Sequence, residues 1–107
     1  MGSQNPEIWQ QQQRFSRILE RVQKGPLVYK ASDNLPFGTS WNAGQNNHMG
    51  TSAPRWAASI PGVQLAATLE LPYATAMGKE VNAETARGFG RDLVTAVRGY
   101  LEGQTDP

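Results

Sequence analysis

Glu70 is the residue of this sequence whose setting best suits proton transfer. It lies in Leu65-Ala66-Ala67-Thr68-Leu69-Glu70-Leu71. In an extended segment Leu65, Ala67, Leu69 and Leu71 share one face, and Ala66, Thr68 and Glu70 share the other. The two neighbours on the face of Glu70 are small, which leaves open space before its carboxylate. An acid facing a cleft from a central strand is desolvated and so tuned for taking up a proton. The same pattern also fits a glutamate on the wet face of a half-exposed strand, the commoner case for an acid.

No metal centre is expected from this chain. His48 is the only histidine, and no acid lies between Asp33 and Glu70. Zinc sites combine several His or carboxylate ligands at short spacings, so a lone His48 in Asn46-Asn47-His48-Met49-Gly50 reads as a solvated loop residue. Cysteine is absent, which excludes disulfides and thiolate ligands. Among the loop aromatics, Tyr29 and Phe37 are candidates to line a substrate pocket, and Trp41 and Trp56 read as packing residues. Gly88-Phe89-Gly90 lacks the third glycine of a dinucleotide loop and falls inside a helix, and no G-x-S-x-G elbow occurs.

These residues need elements to hold them. Asn5-Pro6-Glu7 opens a helix over about residues 6–24: Asn5 caps free N–H groups, Pro6 fits the first turn, and Glu7 suits the positive end of the dipole. Ile8, Phe15, Leu19 and Val22 form its apolar stripe with Trp9 and Ile18 beside them, and the run at residues 10–13 is its polar stretch. Gly25, as a left-handed cap, and Pro26 end it. Residues 27–29 read as a brief strand and residues 65–71 as a second, terminated by Pro72. The long stretch between is rich in breakers, with a helical turn expected at residues 52–59 around Trp56, its length limited by Pro54 and Pro61. Asn82 caps a last helix with Glu84 in its first turn. Ala86, Phe89, Leu93, Val97, Tyr100 and Leu101 form its expected buried stripe.

The 107 residues fit one domain. Two strands do not make an independently stable sheet, and a loop of roughly thirty residues is uncommon in a compact domain. The expectation is a single partial domain over residues 1–107. Its strands would pair with another chain, or it would be the end of a larger α/β domain. Apolar residues make up 38%, charged residues 18%, and the net charge is +1. Neither nucleic acid nor a membrane is an expected partner. No apolar run approaches spanning length, and the first residues lack the basic and apolar regions of a secretory signal.

The order helix, Tyr29-Lys30-Ala31-Ser32, long loop, Ala67-Thr68-Leu69-Glu70-Leu71-Pro72, closing helix resembles the C-terminal part of zinc metallocarboxypeptidases of the carboxypeptidase A-like superfamily. Leu35-Pro36-Phe37-Gly38-Thr39-Ser40-Trp41-Asn42, with Trp56-Ala57 and Leu71-Pro72-Tyr73-Ala74, looks like a bacterial branch of it. The resemblance covers essentially the whole chain. It implies an α/β fold: the end of a mixed sheet, in the order helix–strand–long loop–strand–helix. Glu70 is then the catalytic general base, and Tyr29 opens the loop over the specificity pocket. The substrate implied for the complete protein is a peptide or an acylated amino acid.

The resemblance also implies zinc for the complete parent domain. The family's His-x-x-Glu pair, later histidine and substrate-carboxylate arginines have no counterpart here, and Arg55 is not at a matching position. No zinc is therefore expected to be bound by this chain alone, and the isolated chain is expected to be inactive. The alternative is a non-catalytic interaction module derived from the same fold, an oligomer through exposed strand edges being one expected consequence.

Overall fold

The computed structural model of the chain describes residues 5–34, 53–69, 75–76 and 78–103. In order these form helix α1 (Pro6–Val22), a 3-10 turn (Ala31–Asp33), helix α2 (Ala53–Ala58), strands β1 (Thr75–Ala76) and β2 (Lys79–Glu80), and helix α3 (Ala83–Leu101). The chain divides into two compact units, Met1–Gln13 with Asn34–Leu69 and Arg14–Asp33 with Glu70–Pro107.

Local sequence explains both long helices. Asn5 Oδ1 accepts the N–H groups of Glu7 at 2.9 Å and Ile8 at 3.3 Å, two of the donors that an α-helix leaves unpaired at its start. At α3, Asn82 Oδ1 accepts the Thr85 N–H at 2.9 Å, and Thr85 Oγ1 accepts the Asn82 N–H at 2.8 Å. That reciprocal box starts the helix at Ala83. The Thr85 hydroxyl also donates to the Glu80 carbonyl at 2.9 Å, tying α3 to the strand before it. The helices expected from Asn5-Pro6-Glu7 and from Asn82 are thus present, and α2 occupies the turn read around Trp56.

The expected α/β architecture, a mixed sheet, is not what the chain adopts. The described residues are mostly helical, and their one sheet is the antiparallel pair β1–β2, in register Thr75 with Glu80 and Ala76 with Lys79. Gly78, in the turn of this hairpin, has φ +80°, a conformation that glycine adopts without a Cβ clash. Residues 27–29 form no strand, and neither do residues 65–69 of the second expected strand; Glu70 and Leu71 lie outside the described residues.

The reason lies in what satisfies the backbone. A strand needs a partner for its N–H and C=O groups, and two short isolated strands are poor partners for each other. Glutamine side chains from α1 and from the residue just after it fill that role. Gln23 binds both backbone polar groups of Tyr29, and Gln12 Nε2 donates to the Ala66 carbonyl at 2.7 Å. Gln12 is therefore buried, although it belongs to the run expected to be polar surface. It falls four residues after Ile8 and four before Ser16, on the buried side of the helix.

In the first unit the buried residues of α1 are Ile8 and Gln12. Trp56, expected to pack, is 60% exposed on α2. In the second unit the buried apolar residues are Phe15, Ile18, Leu19, Leu27, Phe89 and Ala96. The Phe15 and Tyr100 rings meet edge to face at 6.0 Å, and the Arg14 guanidinium lies 4.6 Å from the centre of the Tyr100 ring.

The buried face of α3 is rotated from the expected stripe. Gly88, Phe89, Asp92, Ala96 and Gly99 are buried, whereas Val94, Val97 and Leu101 are 69%, 43% and 77% exposed. Small residues take the inner face because the chain after α1 approaches closely there. A Cβ on Gly25 would stand 3.1 Å from Asp92 Oδ2 and 3.3 Å from the Gly88 carbonyl carbon. Gly25 is also not among the glycines of positive φ, so the approach to α3, not a left-handed cap, is what requires glycine there.

Candidate functional site

Of the three residues assigned to a site, the structure places Tyr29; Glu70 and Phe37 lie outside the described residues, as do His48 and Trp41. Tyr29 follows α1 by seven residues, in a segment without regular structure that precedes the 3-10 turn Ala31–Asp33. Its N–H donates to Gln23 Oε1 at 2.7 Å, and its carbonyl accepts from Gln23 Nε2 at 2.8 Å. One side-chain amide thus meets both polar groups of one residue, as a neighbouring strand would.

Gln23 is itself well held. Its N–H donates to the Leu19 carbonyl at 3.1 Å, continuing the helical bonding past Val22, and its Nε2 also donates to the Glu20 carbonyl at 3.1 Å. The Tyr29 hydroxyl donates to Ser16 Oγ at 2.9 Å, and Ser16 is fully buried. The half-buried Tyr29 ring is therefore anchored at its tip to α1. Its neighbours alternate, Leu27 buried and Val28 exposed, as an extended segment requires.

Asp92 holds the start of the same segment. Its Oδ1 accepts the Lys24 N–H and its Oδ2 the Gly25 N–H, each at 2.9 Å. Hydrogen bonds to a carboxylate are stronger than neutral ones, and these occupy one oxygen each. The buried carboxylate is thereby matched to two N–H groups of the segment that follows α1. Among the described residues no buried side-chain nitrogen or oxygen lacks a partner.

Three residues of this cluster, Ser16, Gln23 and Asp92, were not singled out from sequence. Asp92 did leave a signal: it interrupts the apolar side of α3 three residues after Phe89 and four before Ala96, where a charge is buried only with partners. Ser16 and Gln23 left none, since their types are ordinary on a polar helix flank.

What the cluster can do is set a backbone and a tyrosine ring in place. It holds no nucleophile–base pair, and among the described residues no three His, Cys, Asp or Glu side chains converge to hold a metal ion. The zinc that the resemblance implies has no set of ligands among them. The Glu102 carboxylate, 2.9 Å from Arg98 Nε, hydrogen-bonds the guanidinium and raises its pKa above the ordinary value. That pair is exposed on the last turn of α3 and has no part in the cluster.

Comparison of the chain with protein-family models, with curated proteins and with solved structures gives no match. Among the described residues no helix is long and apolar enough to cross a membrane.

Proposed function

We propose that this chain is the C-terminal segment of a zinc-dependent carboxypeptidase-like hydrolase domain, to which it contributes Glu70 as general base and Tyr29 and Phe37 as pocket residues. The observation that carries the reading is the run Thr68-Leu69-Glu70-Leu71-Pro72-Tyr73-Ala74 followed by a helix that starts at a well-formed Asn82 cap. A carboxylate held out of water is a better base, and the small and apolar residues beside Glu70 in the sequence support that role. The reading rests on that motif and not on a mixed sheet.

Within this reading Glu70 takes a proton from the attacking water and returns it to the leaving amine, so that a peptide or acylated amino acid is cleaved. On the same reading the groups that polarise the scissile carbonyl, zinc included, are supplied by parts of the protein outside this chain.

The test has two stages. The reading requires a His-x-x-Glu motif in the same open frame upstream, and a frame read to its start without one overturns it. In the complete hydrolase, Glu70→Gln keeps size and hydrogen-bonding reach but removes the proton acceptor. Turnover should fall roughly 100- to 10,000-fold with fold and metal content unchanged. Undiminished turnover in Glu70→Gln overturns the assignment.

A further inference from the structure

We infer that Gln23 is a positioning residue for Tyr29, with Asp92 anchoring the start of the same segment, so that the conformation of the pocket residue is set by side-chain clasps from the residue that follows α1 and from α3. The inference rests on the reading of Tyr29 as a pocket residue and adds to it the parts that hold Tyr29 in place.

The segment from residue 23 to residue 30 forms no ladder and no helix. A stretch of this kind samples many backbone conformations unless its polar groups are tied. Here the ties come in two pairs. Asp92 takes the N–H groups of Lys24 and Gly25, and Gln23 takes the N–H and the C=O of Tyr29. Between them Leu27 is buried, which fixes the middle of the stretch.

The Gln23 amide is planar and presents its acceptor and donor side by side, so it reads one residue at a fixed orientation. Binding both groups of Tyr29 fixes the direction in which its side chain leaves the backbone. The hydroxyl then reaches buried Ser16 at 2.9 Å. Removing Gln23 takes away both of these hydrogen bonds to the Tyr29 backbone and leaves the Asp92 anchor intact, because the two clasps share no atoms.

Amide hydrogen exchange of the 107-residue chain, read residue by residue by NMR, tests this independently of any hydrolase activity. Gln23→Leu should speed exchange at Tyr29 by roughly tenfold or more, with Lys24 and Gly25 little changed. Gln23→Glu keeps an acceptor for the Tyr29 N–H and should restore most of the protection. Unchanged exchange at Tyr29 in Gln23→Leu overturns the inference. If Gln23→Leu unfolds the chain, Gln23→Glu decides: a protected Tyr29 amide upholds the inference, and exchange at the unfolded rate overturns it.

The role in function is read separately, in the complete hydrolase. Gln23→Leu should raise KM roughly tenfold with a smaller change in kcat, and Gln23→Glu should recover part of the loss. A wild-type KM in Gln23→Leu overturns the positioning role. A complete protein without hydrolase activity overturns the functional reading instead, while the exchange result stands on its own.

Discussion

Asp92 Oδ2 accepts the Gly25 N–H at 2.9 Å, joining residues 67 positions apart in sequence. The bond forms because Gly25 has no side chain to keep it from α3: its own missing Cβ would crowd both the carboxylate and the Gly88 backbone. Asp92 Oδ1 takes the Lys24 N–H beside it.

Asp92→Ala should therefore destabilise the chain by about 2–4 kcal/mol, through loss of two charge-assisted hydrogen bonds and the stranding of two N–H groups. Asp92→Asn retains one acceptor and should cost about half as much. Urea unfolding of the full chain gives both numbers. Asp33→Ala is the control at an exposed position, and an equal midpoint for Asp92→Ala and Asp33→Ala would refute the role of the clasp.

Three glycines should respond differently to alanine. Gly25→Ala places a methyl against backbone and carboxylate and should cost about 1–3 kcal/mol. At Gly88 the nearest contact, Pro26 Cδ, would be 3.6 Å away, an ordinary distance, so Gly88→Ala should be close to neutral. At Gly90 no atom lies within 4 Å, and alanine there should raise stability by about 0.5–1 kcal/mol through helix propensity alone. Thermal melts of the three variants should follow that order.

Tyr29 and Ser16 should show coupling in a double-mutant cycle. Tyr29→Phe and Ser16→Ala each remove one end of the 2.9 Å bond, so the double variant should cost less than the sum of the singles by about 0.5–1.5 kcal/mol. Additive costs would mean that the hydroxyl is held elsewhere in solution.

The two sides of α3 should also separate. Val94→Gln and Leu101→Gln alter exposed side chains and should change stability by no more than about 0.5 kcal/mol. Ala96 is fully buried, so Ala96→Leu should cost about 1–3 kcal/mol through overpacking. A stripe centred on Val97 and Leu101 predicts the reverse order, and denaturant midpoints distinguish the two.

The parts of the fold legible from sequence are those decided within about one helical turn. Asn5-Pro6-Glu7 and Asn82-Ala83-Glu84-Thr85 carry their own start signals, because a cap bonds N–H groups two or three residues away. At α2 the signal is equally local: Pro54 fits the first turn of the helix, and Pro61 follows its end by three residues. Tyr29 was legible as a residue to watch, but not as one whose backbone a glutamine holds.

The tertiary structure alone decided the rest. Residues 27–29 have the composition of a strand, but a strand exists only where a partner lies alongside, and here the Gln23 amide meets Tyr29 instead. The buried face of α3 was equally beyond periodicity. Val97 and Leu101 are the more apolar residues, yet Gly88, Ala96 and Gly99 turn inward, because at Gly88 the loop of Gly25 and Pro26 comes within van der Waals contact of the helix. Sequence by itself determined where the two long helices begin. Which side chains stand in for a missing strand, and which side of α3 is covered, depend on groups up to 68 residues apart meeting at hydrogen-bond distance, and only the folded chain brings them together.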